Sequence, residues 1–183
     1  MVKRLQKKER LTNRLASVLI FLVTFNLLAI PLYIVTYANL SFEPLKELNA
    51  RIVSATLKFF GYDSYSDGST VDLVSNGVLQ KIDISWDSTG WKSMYAIAAL
   101  ILATPISKSK ISRKIKFAVI GIAIIFFINY LRISSTILIS ANFGFNLFDI
   151  IHTVLWREGL ILAVVGVWLV WMRMEKYKIW KIK

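Results

Sequence analysis

The chain contains no cysteine. No disulfide can staple it, and no thiolate is available to ligate a metal or to attack a carbonyl. Histidine occurs once, at His152. A zinc site would then rest on one imidazole plus carboxylates, so neither a metal nor another cofactor is expected. Acidic residues are scarce: 11 Asp and Glu stand against 23 Lys and Arg, a net charge of +12. The sequence has no glycine-rich phosphate loop and no internal repeat, which removes the usual nucleotide-binding and solenoid architectures.

Apolar residues are what the chain has in quantity. They make up 56% of its 183 residues, and the mean hydropathy is +0.56. That is too apolar for an ordinary soluble domain. Four runs, 15–37, 91–106, 117–139 and 153–172, come close to the roughly 17–25 residues that a spanning helix needs. The expected fold is an all-α membrane protein of about four transmembrane helices, one integral-membrane domain over residues 1–183. The first run exceeds the ~7–15 apolar residues of a signal peptide, and no small-residue cleavage site follows it cleanly.

Orientation is read from the basic residues. "MVKRLQKKERLTNR" carries six Lys and Arg, "SKSKISRKIK" five and "RMEKYKIWKIK" five. In a four-span topology all three fall on one side, so the N- and C-termini are expected in the cytoplasm. The loop 41–87 has seven acids and four bases and is expected outside. The positive charge then reflects topology and attraction to anionic headgroups, and nucleic acid is not an expected partner.

The outer loop has structure of its own. "FEPLKELNARIVSATLKFFGY" places Pro44 near a helix start, with apolar Leu45, Leu48, Ile52, Leu57 and Phe60. It reads as an amphipathic helix at the outer interface. "STVDLVSNGVLQKIDIS" alternates on both sides of Asn76-Gly77, a small β-hairpin signal. These elements either cover the bundle or wall an outer site.

The polar residues inside the apolar runs are the candidates for chemistry. "FFINYLRISSTIL" holds Arg132 in the outer half of the third run. A cation there costs at least ~2.5–3.5 kcal/mol on insertion scales, so it needs a partner or a task. Asn129, Arg132 and Ser135 or Thr136 share one helical face at i, i+3 and i+4 spacing. His152 stands at the outer entrance of the fourth run, with Arg157 and Glu158 one to two turns deeper. Ser88 and Thr89 open the second run from the same side. Each has a structural reading: Ser88 as a helix cap, Arg132 as an ion-pair partner of Glu158, His152 as an interfacial residue. Topology nonetheless brings all three to the outer third of one small bundle.

Three blocks carry a likeness. "DSTGWKSMYAIAALILATP" (87–105), "INYLRI" (128–133) and "FDIIHTVLWREGLIL" (148–162) resemble, in order, spacing and outward placement, the nucleophile, arginine and histidine blocks of the exosortase/archaeosortase family of integral-membrane transpeptidases. The resemblance covers about 83–171. The small size and the lysine- and isoleucine-rich character lean toward an archaeal branch.

The resemblance implies a cysteine-type transpeptidase or peptidase of Cys-Arg-His type. The implied catalytic positions are Ser88, Arg132 and His152, with Thr89, Gly90, Asn129, Arg157 and Glu158 supporting or binding substrate. The implied partners are secreted proteins with a C-terminal sorting signal, made of a motif, a transmembrane helix and a basic tail, and a membrane lipid as a possible acceptor. The implied location is the plasma membrane, multi-pass, with the active site on the extracytoplasmic side. One departure matters: the family nucleophile is cysteine, and this chain has Ser88. Two explanations stand, an introduced Cys→Ser change that traps an inactive enzyme, or a natural serine variant or pseudoenzyme. The competing class is a non-catalytic membrane assembly or binding subunit built round a structural Arg–Glu pair.

Overall fold

The computed structural model describes residues 2–75, 77–105, 110–143 and 156–180. Helix α1 (Val2–Tyr37) leads to α2 (Glu43–Phe59) and to three strands, β1 (Asp63–Asp67), β2 (Thr70–Ser75) and β3 (Val78–Asp83). A single 3-10 turn (Trp86–Thr89) then opens onto α3 (Trp91–Ala103), α4 (Ile111–Phe143) and α5 (Trp156–Trp180).

Among the described residues, two helices are long and apolar enough to cross a membrane, Leu11–Tyr37 with mean hydropathy 2.5 and Ile111–Phe143 with 2.0. None of the apolar window of α1 is buried within the protein. Its Leu15, Leu19 and Leu27 are each about 60% exposed. A soluble core helix would hide such a surface, whereas hydrocarbon accepts it. Helix α3 has 13 residues. At ~1.5 Å per residue it is shorter than the ~30 Å hydrocarbon layer. The molecule is thus mostly helical, with a small sheet.

The sheet is larger than the single hairpin expected. It is a three-stranded antiparallel meander in the order β1-β2-β3. The anticipated hairpin is β2–β3: Ser75 pairs with Val78, and Gly77 has φ 75°. Asn76 lies outside the described residues. Strand β1 reads "DSYSD" and has no apolar alternation to announce it. Asp67 pairs with Thr70, so Gly68 and Ser69 form a second two-residue turn, with φ 55° at Gly68. Glycine at the first of two loop positions is favoured in such a turn.

Helix α2 starts as expected, with Pro44 in its first turn. Hydrogen bonds from Ser41 and then from Lys46 hold the Glu43 carboxyl below the usual carboxylate range. The buried face includes Leu57, as expected, but departs from the expected set elsewhere. Ala50, Val53 and Leu57 pack on Val71 and Leu73 of β2 and on Ile133 and Ile137 of α4. Leu48 and Phe60, assigned to the apolar face, are 46% and 58% exposed. In a membrane protein small side chains let backbones approach, while large apolar ones can face lipid.

The second core joins α3, α4 and α5 through Ile97, Ile101, Ile125, Leu160 and Trp171. Its far end is pinned by polar groups. Lys114 Nζ donates to the carbonyls of Leu102 (3.0 Å) and Thr104 (2.6 Å), satisfying the open C-terminus of α3. Trp168 Nε1 donates to Thr104 Oγ1 at 2.9 Å. Arg113 pairs with the buried Glu175 at 3.4 Å. These contacts fix α3 along α4 and so set where the N-terminus of α3 meets α4.

Candidate active site

Strand β3 ends two residues before the 3-10 turn. Ile84 N–H donates to the Ser69 carbonyl at 3.0 Å, tying the exit to the sheet. Ser85 caps the turn. Its Oγ accepts from Ser88 N–H at 3.3 Å and lies 2.7 Å from Ser88 Oγ. Thr89 is fully buried, and its Oγ1 donates to the Trp86 carbonyl at 2.8 Å. Gly90, at φ 75°, swings the chain into α3 and is its N-cap. Capping therefore falls to Ser85 and Gly90, not to Ser88, whose hydroxyl meets that of Ser85.

Helix α4 brings the opposing groups. Asn129 is fully buried, Arg132 is 9% exposed and Thr136 is 3% exposed. Asn129 Nδ2 donates to the Ser88 carbonyl at 2.9 Å. Its Oδ1 accepts from Arg132 Nη1 at 3.3 Å. Thr136 Oγ1 donates to the Arg132 carbonyl at 2.8 Å. Of the two residues at i+3 and i+4 from Arg132, Thr136 extends the buried polar stripe, while Ser135 is half-buried. Asn129 thus ties the 3-10 turn to the guanidinium, with both ends of its amide engaged.

Ser88, Arg132 and Thr136 line one cavity of about 50 Å³, walled by Ile82, Ile84 and Ile133. It is large enough for a water or a single small oxygen-bearing group. Gly90 is essential to this geometry. A Cβ there would stand 2.7 Å from Asn129 Cγ and 3.0 Å from its Cβ. Only glycine combines the left-handed backbone with that close approach.

The other expected site residues are placed less fully. Arg157 and Glu158 lie in the first turn of α5, and Glu158 is exposed. His152 lies outside the described residues. Ser85 was not anticipated. Its signal was the pair of serines in "SWDS", a side-chain cap three residues ahead of the position it serves.

These features define a small membrane protein whose polar site lies between a short turn and the buried face of a spanning helix. The family model for transmembrane exosortase (Exosortase_EpsH) matches residues 10–172, and the chain belongs to that family of membrane transpeptidases that act in protein sorting. No curated protein and no solved structure matches it. The match begins before the apolar part of α1 and ends within α5, so it includes positions 88, 132 and 152.

Proposed function

We propose that the chain is an archaeosortase- or exosortase-like transpeptidase, one integral-membrane domain with the loop 41–87 outside, in which Ser88 holds the place of a catalytic cysteine. The substrate is a secreted protein with a C-terminal tail of recognition motif, membrane helix and basic end. The observation that carries this reading is the shared cavity. Ser88 and Arg132 line it together, and Asn129 bonds to both residues.

A cysteine at 88 would act as follows. Its thiolate attacks the scissile carbonyl carbon, and the oxygen takes the negative charge. Arg132 stabilises that oxyanion, a role its burial strengthens. The peptide C–N bond breaks, His152 passes the proton it took from the thiol to the leaving amine, and a thioester remains. A membrane or surface acceptor, such as a lipid headgroup, then displaces the thiolate. Thr89, Gly90 and Asn129 hold the turn, and Arg157 and Glu158 support substrate or charge balance. In this frame four helices cross the plasma membrane, both termini are cytoplasmic, and the site faces outward. The lysine- and isoleucine-rich composition fits an archaeal member.

A serine hydroxyl ionises far less readily than a thiol, whose pKa is ~8.5 before any cation lowers it. The chain therefore binds tails without turning them over. The test co-expresses the chain, or its Ser88→Cys form, with a library of secreted reporters bearing such tails. Cleavage by the cysteine form alone is expected, with a difference on the order of 10⁶ between the two. Cleavage by both makes this a serine enzyme. Adding His152→Ala to Ser88→Cys should leave protein levels unchanged and abolish cleavage. If neither form cleaves any tail, the non-catalytic subunit takes its place.

A further inference from the structure

Strand β3 lies at the edge of the sheet. It pairs with β2 on one side, and among the described residues no strand pairs with it on the other. In an antiparallel pair, opposed residues exchange backbone bonds at every second position. Ile84 N–H donates to the Ser69 carbonyl, and in the same alternation Ile82 faces Val71, Gln80 faces Leu73 and Val78 faces Ser75. The even-numbered residues therefore bond to β2. The backbone N–H and C=O groups of Leu79, Lys81 and Asp83 point the other way. Among the described residues no backbone bond reaches them from that side, and each of these residues is exposed.

The cavity shared by Ser88 and Arg132 lies along this free edge. Ile82, Asp83 and Ile84 all wall it. Successive side chains of a strand point to opposite faces, so consecutive residues meet one cavity only along an edge. No residue of β2 is among the walls, so the edge is the unpaired one. The outward groups repeat every second residue, about 6.8 Å. An extended peptide presents complementary donors and acceptors at that repeat. A lipid headgroup has no such row, and a helix has already spent its backbone groups internally. A second copy of β3 fits poorly. Antiparallel pairing centred on the row would set Lys81 opposite Lys81, and like charges directly opposite destabilise a sheet.

We propose that the tail segment beside the scissile bond adds to β3 as a fourth strand, backbone to backbone, and that this pairing feeds the scissile carbonyl into the cavity. The outward groups of Leu79 and Lys81 hold the peptide, and at Asp83 it reaches the cavity wall. Strand addition of this kind takes its affinity from main-chain bonds and its specificity from alternate side chains. The segment recognised is therefore extended, and it carries no proline where its own N–H must face β3. The inference rests on the peptidase reading for the identity of the added strand, not for the open edge itself.

The test uses the full chain with Ser88 in place and exploits its lack of cysteine. One cysteine is introduced, as Leu79→Cys or as Lys81→Cys, the latter at a side chain that is 68% exposed. The partners are tail-bearing secreted reporters, each with one cysteine walked through the segment before the membrane helix. Opposed strand residues have Cα atoms ~4.5–5.5 Å apart, within the ~4.4–6.8 Å that a disulfide spans. Mild oxidation in membranes should favour one tail position over both of its neighbours. Moving the cysteine from 81 to 79 should shift that position by two. Lys81→Pro removes an outward N–H and no bond to β2. Added to Ser88→Cys, it should raise KM about 5-fold, the worth of about one hydrogen bond, and spare kcat and protein level. Lys81→Ala keeps the N–H and should leave KM unchanged. Adducts of equal yield at consecutive positions, or equal harm from Lys81→Ala and Lys81→Pro, would overturn the proposal. Adducts only between two copies of this chain would overturn it and assign the edge to self-association. Cleavage by Ser88→Cys without register-shifted adducts would overturn the added strand and leave the peptidase standing. Register-shifted adducts without cleavage would support the added strand and sink the catalytic reading. Neither adducts nor cleavage would overturn both.

Discussion

Gly90 and Asn129 act as one unit at the residue scale. The glycine makes room for the amide, and the amide holds the carbonyl of residue 88 and the guanidinium of Arg132. Gly90→Ala forces a left-handed backbone on an L-residue, at about 1–2 kcal/mol, and drives a methyl group into Asn129. Introduced into the Ser88→Cys form, it should reduce tail cleavage at least tenfold, a floor that corresponds to ~1.4 kcal/mol. The loss should exceed the fall in membrane-extracted protein, and cleavage rates normalised to protein level check this. Arg132 stood out in the sequence because a charge inside an apolar run is expensive, whereas Ser88, which precedes its run, was singled out by the resemblance of its block. The i, i+3 spacing also put Asn129 on the arginine's face. Ser85 was not legible. Its role depends on a 3-10 turn outside any periodic pattern, and a serine in a loop has many equivalent readings.

The elements differ in how plainly they announced themselves. Helices α1 and α4 followed from hydrophobic length alone. Strand β1 did not, since "DSYSD" gives no apolar alternation, and only Gly68 marked its turn. The face of α2 was misjudged at Leu48 and Phe60, since a large apolar residue faces inward in water but can face lipid in a membrane. On the sheet, Tyr65, Asp72 and Lys81 form one cross-strand row. Hydrogen bonding to Asp72, and then its charge, raises the Tyr65 phenol above the usual tyrosine range. A raised folded value means that the neutral phenol is favoured in the folded state. This contribution is complete below ~pH 10 and is lost as pH climbs through the raised value. Asp72→Asn should bring the ionisation of Tyr65 back toward ~10. Tyrosinate absorbance titration, with Tyr65→Phe as the blank, reads the change, and an unmoved titration would rule out the contact.

For the whole molecule, the charge pattern and the two long apolar helices agree with a membrane protein. Helix α3, with 13 residues, is too short to span a bilayer by itself. A chain without cysteine makes the topology directly measurable. Asp67→Cys, on the sheet, should react with a membrane-impermeant thiol reagent added to intact cells. Lys116→Cys, in the basic link region, should react only after permeabilisation. The reverse pattern would invert the topology and move the site to the cytoplasmic side.

The turn that carries Ser88 follows β3 after only two residues, and Ile84 is bonded back to the sheet at Ser69. Such a short tether has little slack to absorb a shift of the sheet. Force applied to the exposed meander reaches position 88 through the backbone itself. In the proposed topology the sheet is a handle on the outside of the cell, and an antibody gripping it would disturb the proposed site without ever entering the cavity.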